Sequence, residues 1–171
     1  DMRMDQQQEM SAEQLVNNTE ESELAAILRR YGEEPRATAI ARAIILARPI
    51  TDTAHLATII AGAGGWRARR GKIHPATRSF QAIRVAVNDE LGQLEQTLPL
   101  MTELLSPGGR MAVISFHSLE DRLVKRFLAE RAGDRYDAEL RPLTKKPIGP
   151  SDEEIVSNPR ARSARLRAAA K

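Results

Sequence analysis

Gly109-Arg110-Met111-Ala112-Val113-Ile114-Ser115-Phe116-His117-Ser118-Leu119-Glu120-Asp121-Arg122 decides how this chain folds. Residues 110–116 are an apolar run of strand length, preceded by the tight-turn sequence Ser106-Pro107-Gly108-Gly109. They read as a buried strand that ends in three hydrogen-bonding side chains, Ser115, His117 and Ser118. The chain then passes into a helix over 119–131, with Leu123, Val124, Phe127 and Leu128 on its apolar face. Open α/β sheets bind ligands outside the carboxyl ends of their strands, so these three side chains stand where chemistry is usually done. Glu120 and Asp121 open the helix, where carboxylates suit the helix dipole, and capping is the plain reading of both acids. For His117 the plain reading is a satisfied core histidine; the functional one is a group that titrates near neutral pH.

Upstream of the turn, Phe80, Ile83, Val87, Leu91 and Leu94 recur at helical spacing and predict one long helix over 76–97, with a short helix after Pro99. His74 and Thr77 are its candidate capping groups. Earlier still, four short helices are expected. Ser11 with Gln14 resembles a capping box. Thr19 can cap a helix over 20–31, with Leu24, Ile27, Leu28 and Tyr31 on one face and Gly32 as its stop. Pro35 suits the first turn of a helix over 35–48, and Thr51 can cap another over 52–61. Downstream, 139–147 can hold a short strand, Ser151 with Glu154 is a second capping-box candidate, and 162–170 reads as a last strand. This order predicts the second half of a doubly wound α/β sheet, preceded by a small all-helical unit.

The 171 residues are 42% hydrophobic but only 4% aromatic, so the core must be built from Leu, Ile, Val and Ala. The absence of cysteine excludes a disulfide scaffold, a thiolate zinc site and a thiol nucleophile, and it is compatible with a reducing cytoplasm. No His/Asp/Glu spacing suggests a metal site, and no Gly-x-Ser-x-Gly elbow suggests a hydrolase. Neither a membrane-spanning run nor a secretory leader is visible, and the opening Asp1-Met2-Arg3 predicts that an upstream segment has been lost. The net charge is +3 but unevenly spread. Residues 1–35 hold nine acids and three bases, 66–84 hold six bases and no acid, and 131–171 hold ten bases and six acids. A cationic belt of this kind favours a phosphate-backbone partner, with a merely solvated face as the alternative. Gly62-Ala63-Gly64-Gly65 follows a helix rather than a strand, so the phosphate-cradle reading is set aside. Trp66 with Arg67, Arg69, Arg70 and Lys72 can instead bind phosphates and stack a base, or form an ordinary surface loop. Arg78 lies within reach of an anion near the start of the long helix.

Three segments, HPATRSFQAIRVAVNDEL (74–91), GGRMAVISFHSLEDRLVKRF (108–127) and NPRARSARLR (158–167), together resemble the RsmH (MraW) family of bacterial ribosomal RNA methyltransferases. The resemblance runs through almost the whole chain in the same order. It implies the second half of a Rossmann-like class I methyltransferase sheet with an inserted all-α domain. Residues 1–5 would end an upstream methyltransferase segment, 6–73 would form the inserted substrate-recognition domain, and 74–171 the carboxyl-terminal part of the methyltransferase domain. It implies N4-methylation of one cytidine in the decoding centre of 16S ribosomal RNA, with the RNA or the small ribosomal subunit as partner. S-adenosylmethionine is the implied cofactor, and the family's glycine-rich loop for it has no counterpart in these residues. Ser115, His117 and Ser118 would then line the cytidine pocket. Trp66, Arg67, Arg69, Arg70, Lys72, Arg78, Arg160 and Arg162 would contact the RNA. A non-catalytic RNA-binding remnant and an inactive structural fragment, its sheet edge covered by a partner or by self-association, remain open alternatives.

Overall fold

In the computed structural model, which describes residues 1–63, 74–132 and 138–171, the amino-terminal unit Asp1–Glu90 holds only helices among its described residues. Helix α1 (Ala12–Asn18) opens on the expected capping box: Gln14 N donates to Ser11 Oγ at 3.2 Å, and Ser11 N to Gln14 Oε1 at 2.8 Å. Helices α2 (Glu21–Gly32), α3 (Ala37–Leu46), α4 (Thr53–Ala63) and α5 (Thr77–Asn88) follow. Two expected caps are not made by the residues expected. Thr19 closes α1, its N–H donating to Leu15 O, so the residue before α2 is Glu20, with no side-chain cap. Asp52, not Thr51, caps α4, its Oδ1 accepting from His55 N at 2.8 Å. Leu24, Leu28, Ile40, Ile44, Ile60 and Ile83 form the fully buried centre, so the aliphatic stripes do converge as their spacing requires. Asn17 pins the loop after α3 by donating to Ile50 O at 2.9 Å and accepting from Ile50 N at 2.8 Å. α2 and α5 approach closely at Gly32: a Cβ there would lie 2.6 Å from Arg78 O.

The single long helix expected over 76–97 is two helices. Asp89 adopts a left-handed conformation (φ 47°, ψ 41°), which ends α5, and α6 (Glu90–Leu104) starts at the next residue. Aspartate tolerates this conformation better than most residues. Arg84 spans the break, donating to both carboxylate oxygens of Glu90 at 2.7 and 2.9 Å. Pro99, read as a helix boundary, lies inside α6 instead. A proline costs one intrahelical bond; the helix nevertheless continues, with Leu98 fully buried beside it and Thr102 Oγ1 donating to Leu98 O at 3.1 Å.

The second unit, Leu91–Lys171, is built on a three-stranded antiparallel sheet of order β1-β3-β2. It comprises β1 (Arg110–Ser115), β2 (Arg141–Pro142) and β3 (Arg165–Ala170). Gly108 (φ 77°) makes the turn into β1 possible, and Gly109 N donates to Ser106 O at 2.8 Å. β3 runs against β1 from Arg110↔Ala170 to Ser115↔Arg165. Met111, Val113 and Ala169 meet Leu94, Leu98 and Met101 of α6 and Val124 and Leu128 of α7 (Ser118–Glu130) on one face. The opposite face of β1 is open: Ala112 is exposed and Ile114 is 55% exposed. The strand expected to be buried throughout is therefore buried on one face. Helix α8 (Asp152–Ser157) has half of its predicted capping box, Glu154 N donating to Ser151 Oγ at 3.1 Å, and a 3-10 turn, Pro159–Ser163, leads into β3.

Candidate functional site

The carboxyl end of β1 is held by one carboxylate. Glu120 Oε2 accepts from Phe116 N at 2.7 Å and from His117 N at 3.2 Å. In return, Glu120 N donates to His117 Nδ1 at 3.4 Å, and His117 Nε2 lies 3.3 Å from Glu120 Oε1. His117 is thus the N-cap of α7 in a reciprocal capping box, a role that serine or aspartate usually fills. Both ring nitrogens turn toward Glu120. With Nδ1 accepting, the neutral imidazole carries its proton on Nε2. The box fixes the backbone of residues 116–118, where strand gives way to helix.

Beside that backbone lies a cavity of about 560 Å³. Phe116, His117 and Ser118 line it from β1 and α7, Pro147, Gly149 and Pro150 from the segment after β2, and Arg162, Ser163, Ala164 and Arg165 from the approach to β3. Its volume is in the range of sites for small ligands. The segment after β2 is tied to β3 by Ile148 N to Leu166 O at 2.9 Å and Leu166 N to Ile148 O at 2.8 Å. Two guanidiniums and two hydroxyls, with no carboxylate among the lining residues, suit an anionic ligand with hydrogen-bonding edges.

Behind the cavity, Asp121 of α7 binds both arginines of β3 that share its face. Arg167 donates from Nε to Oδ1 at 2.7 Å and from NH2 to Oδ2 at 3.2 Å, and Arg165 NH1 donates to Oδ2 at 3.2 Å. The side chains of Asp121 and Arg167 are each only 9% exposed, whereas that of Arg165 is 51% exposed. The hydrogen bonds from Arg167 hold the Asp121 carboxyl below its ordinary pKa; burial opposes this, and Arg165 adds to the lowering. Asp121, read from sequence as a helix-dipole residue, therefore fixes Arg165 at the cavity.

His117 and Ser118 line the cavity together with Arg162. Ser115 does not line it: its hydroxyl, on the packed face of β1 with Met111, is buried and has no hydrogen-bond partner among the described residues. Arg160 is exposed in the same 3-10 turn without lining the cavity. Arg78 belongs to the helical unit, its NH1 donating to Glu33 O at 3.4 Å. His74 caps the turn into α5, Nδ1 accepting from Ala76 N at 3.2 Å. Trp66, Arg67, Arg69, Arg70 and Lys72 lie outside the described residues. Sequence reasoning missed Phe116, Ser163 and Arg165. The signal for Arg165 was present in the alternation Arg165-Leu166-Arg167, which puts two cations on one face of a strand.

A last strand running antiparallel between two earlier ones, helices on the packed face, and a ligand-sized cavity at the first strand's carboxyl end define part of a class I methyltransferase fold. No helix among the described residues is long and apolar enough to cross a membrane. The chain belongs to the MraW methylase family, whose sequence model matches residues 1–171. It is 52% identical over 171 residues to "Ribosomal RNA small subunit methyltransferase H" of Nostoc sp. (strain PCC 7120), covering 100% of this chain and 55% of that protein. It is 50% identical over 188 residues to the protein of the same name from Heliobacterium modesticaldum, covering 100% of this chain and 59% of that protein. With that of Methylobacterium sp. (strain 4-46) it shares 51% over 175 residues, 92% of this chain and 51% of that protein. The chain thus spans little more than half the length of these curated relatives.

Proposed function

We propose that these residues are the acceptor side of an S-adenosylmethionine-dependent methyltransferase that modifies the exocyclic N4 of a cytidine in the decoding centre of 16S ribosomal RNA. The observation that carries this reading is the cationic cavity at the carboxyl end of β1, in a chain about half identical to proteins named for small-subunit ribosomal RNA methylation. The described residues do not fit the cofactor itself. They contain no glycine-rich strand-to-helix turn followed by an acid. The 171 residues alone are expected to bind S-adenosylmethionine weakly or not at all in a calorimetric titration. Stoichiometric, tight binding would place the donor site here and end this division of labour.

Cytosine N4 is a poor nucleophile because its lone pair is delocalised into the ring. An acceptor site must hold the base out of its stack and fix N4 at the reacting distance. In this reading the 116–118 backbone is one wall of that site. Ser118 supplies a hydroxyl and Arg162 with Arg160 contacts phosphates; Trp66, Arg67, Arg69, Arg70, Lys72 and Arg78 are separately proposed as RNA contacts on the grounds of their sequence. Ser115 supports the wall from its packed face. His117 is a positioning residue that orients the cytosine through the wall it caps. In the complete polypeptide, His117→Ala should lower methyl transfer by roughly ten- to a hundredfold with a smaller loss of RNA affinity, and should cost about 1 kcal/mol of stability through the lost cap. His117→Asn, which retains a capping acceptor, should recover most of the turnover. Labelled-methyl transfer to small-subunit RNA reads both, and an alanine variant with full turnover would remove His117 from the mechanism.

A further inference from the structure

Phe116 is large, apolar and 53% exposed, and it lines the cavity. Ala112 and Ile114 of β1 are exposed too but do not line it, so Phe116 differs from them in what it faces. Its backbone is fixed, since its N–H donates to Glu120 at 2.7 Å and the next residue caps α7. The ring therefore projects from a hydrogen-bonded backbone, in a chain with three phenylalanines in all. Around it stand Arg162, Arg165, Ser118 and Ser163, with Arg165 held by Asp121. An exposed aromatic and two guanidiniums lining one cavity are the composition by which proteins hold unpaired nucleic acid, stacking a base and neutralising its phosphates. A purely anionic ligand would need the arginines but not the ring, and a purely apolar one the reverse.

We propose that Phe116 is a stacking platform for an unpaired nucleobase of the RNA, with Arg162 and Arg165 on the adjoining phosphates. The proposal rests on the reading of this cavity as an RNA site and deepens it by assigning the base contact to a residue outside the Ser115/His117/Ser118 set. Stacking is insensitive to salt, whereas phosphate contacts weaken with it, so the two contributions separate in one titration.

The test titrates the complete polypeptide with a short labelled unpaired RNA and with the same strand carrying abasic positions, followed by fluorescence anisotropy. Phe116→Ala should weaken binding of intact RNA about tenfold, by the same factor at low and high salt, and should bind abasic RNA as the wild type does. Phe116→Trp should retain affinity, and its added emission should be quenched by intact but not by abasic RNA. Unchanged affinity of Phe116→Ala, an equal loss on abasic RNA, or an unquenched Phe116→Trp would each overturn the assignment. A wild-type protein that binds the intact strand no better than the abasic one would do so even if Phe116→Ala failed to fold. A wild-type protein that binds neither RNA would overturn the RNA reading of the cavity as well.

Discussion

Asp121→Ala should lower the unfolding free energy by about 3–5 kcal/mol, because it strands the Arg167 guanidinium in a site that water barely reaches. The buried Arg167 bonds dominate; the Arg165 bond adds less, since that side chain is half exposed and screened. Asp121→Asn, which keeps the acceptor oxygen but not the charge, should fall between the two. The same pair makes stability pH-dependent. The Asp121 pKa is lowered on folding, so its contribution is complete above the unfolded-state value of ~3.9 and is lost as pH falls through the lower folded value. Urea midpoints of wild type and Asp121→Ala should therefore converge in strong acid and separate above about pH 5. An Asp121→Ala variant with a wild-type midpoint at neutral pH would show that the pair contributes nothing.

Gly32→Ala should cost about 1–3 kcal/mol, toward the upper end because the obstacle is backbone. The new Cβ would lie 2.6 Å from Arg78 O and 3.2 Å from Ala82 Cβ, so α2 and α5 would have to separate. Gly62 in α4 is the internal control, since a Cβ there meets nothing within 4 Å. Gly62→Ala should stabilise the helix by about 0.4–1 kcal/mol. Opposite signs for the two substitutions in thermal unfolding would establish that close approach, not helix propensity, governs Gly32. Equal stabilisation by both would refute the packing argument.

The short helices were legible because their caps and apolar stripes are local. Ser11 with Gln14 can be read without knowing what surrounds them. The errors fall where tertiary packing outweighs a local rule. Asp89 sits in an unbroken 3.6-residue pattern, and nothing in that pattern marks a left-handed residue; Pro99 carries a strong breaker signal, yet α6 continues through it. Thr51 and Asp52 are both good caps, and sequence alone does not choose between neighbours. At the site, proximity in the chain exposed Ser115, His117 and Ser118 together. Which of them faces a cavity depends on strand alternation and on a segment some 30 residues away, and that separates Ser118 from Ser115. Phe116 was hidden by its chemistry, because an aromatic at the end of an apolar run reads as core.

The alternation Arg165-Leu166-Arg167 has one more consequence. A strand shifted by a single residue turns every side chain to the other face. If β3 slid by one against β1, Leu166 and Ala168 would confront Asp121, which would be left charged, covered and unpaired. Buried ion pairs contribute little net stability against apolar replacements, but a buried charge left without its partner costs on the order of 3–5 kcal/mol. In the observed register Asp121 instead meets Arg167 and Arg165, so the strand alignment that satisfies its charge is the same one that places Arg165 at the cavity.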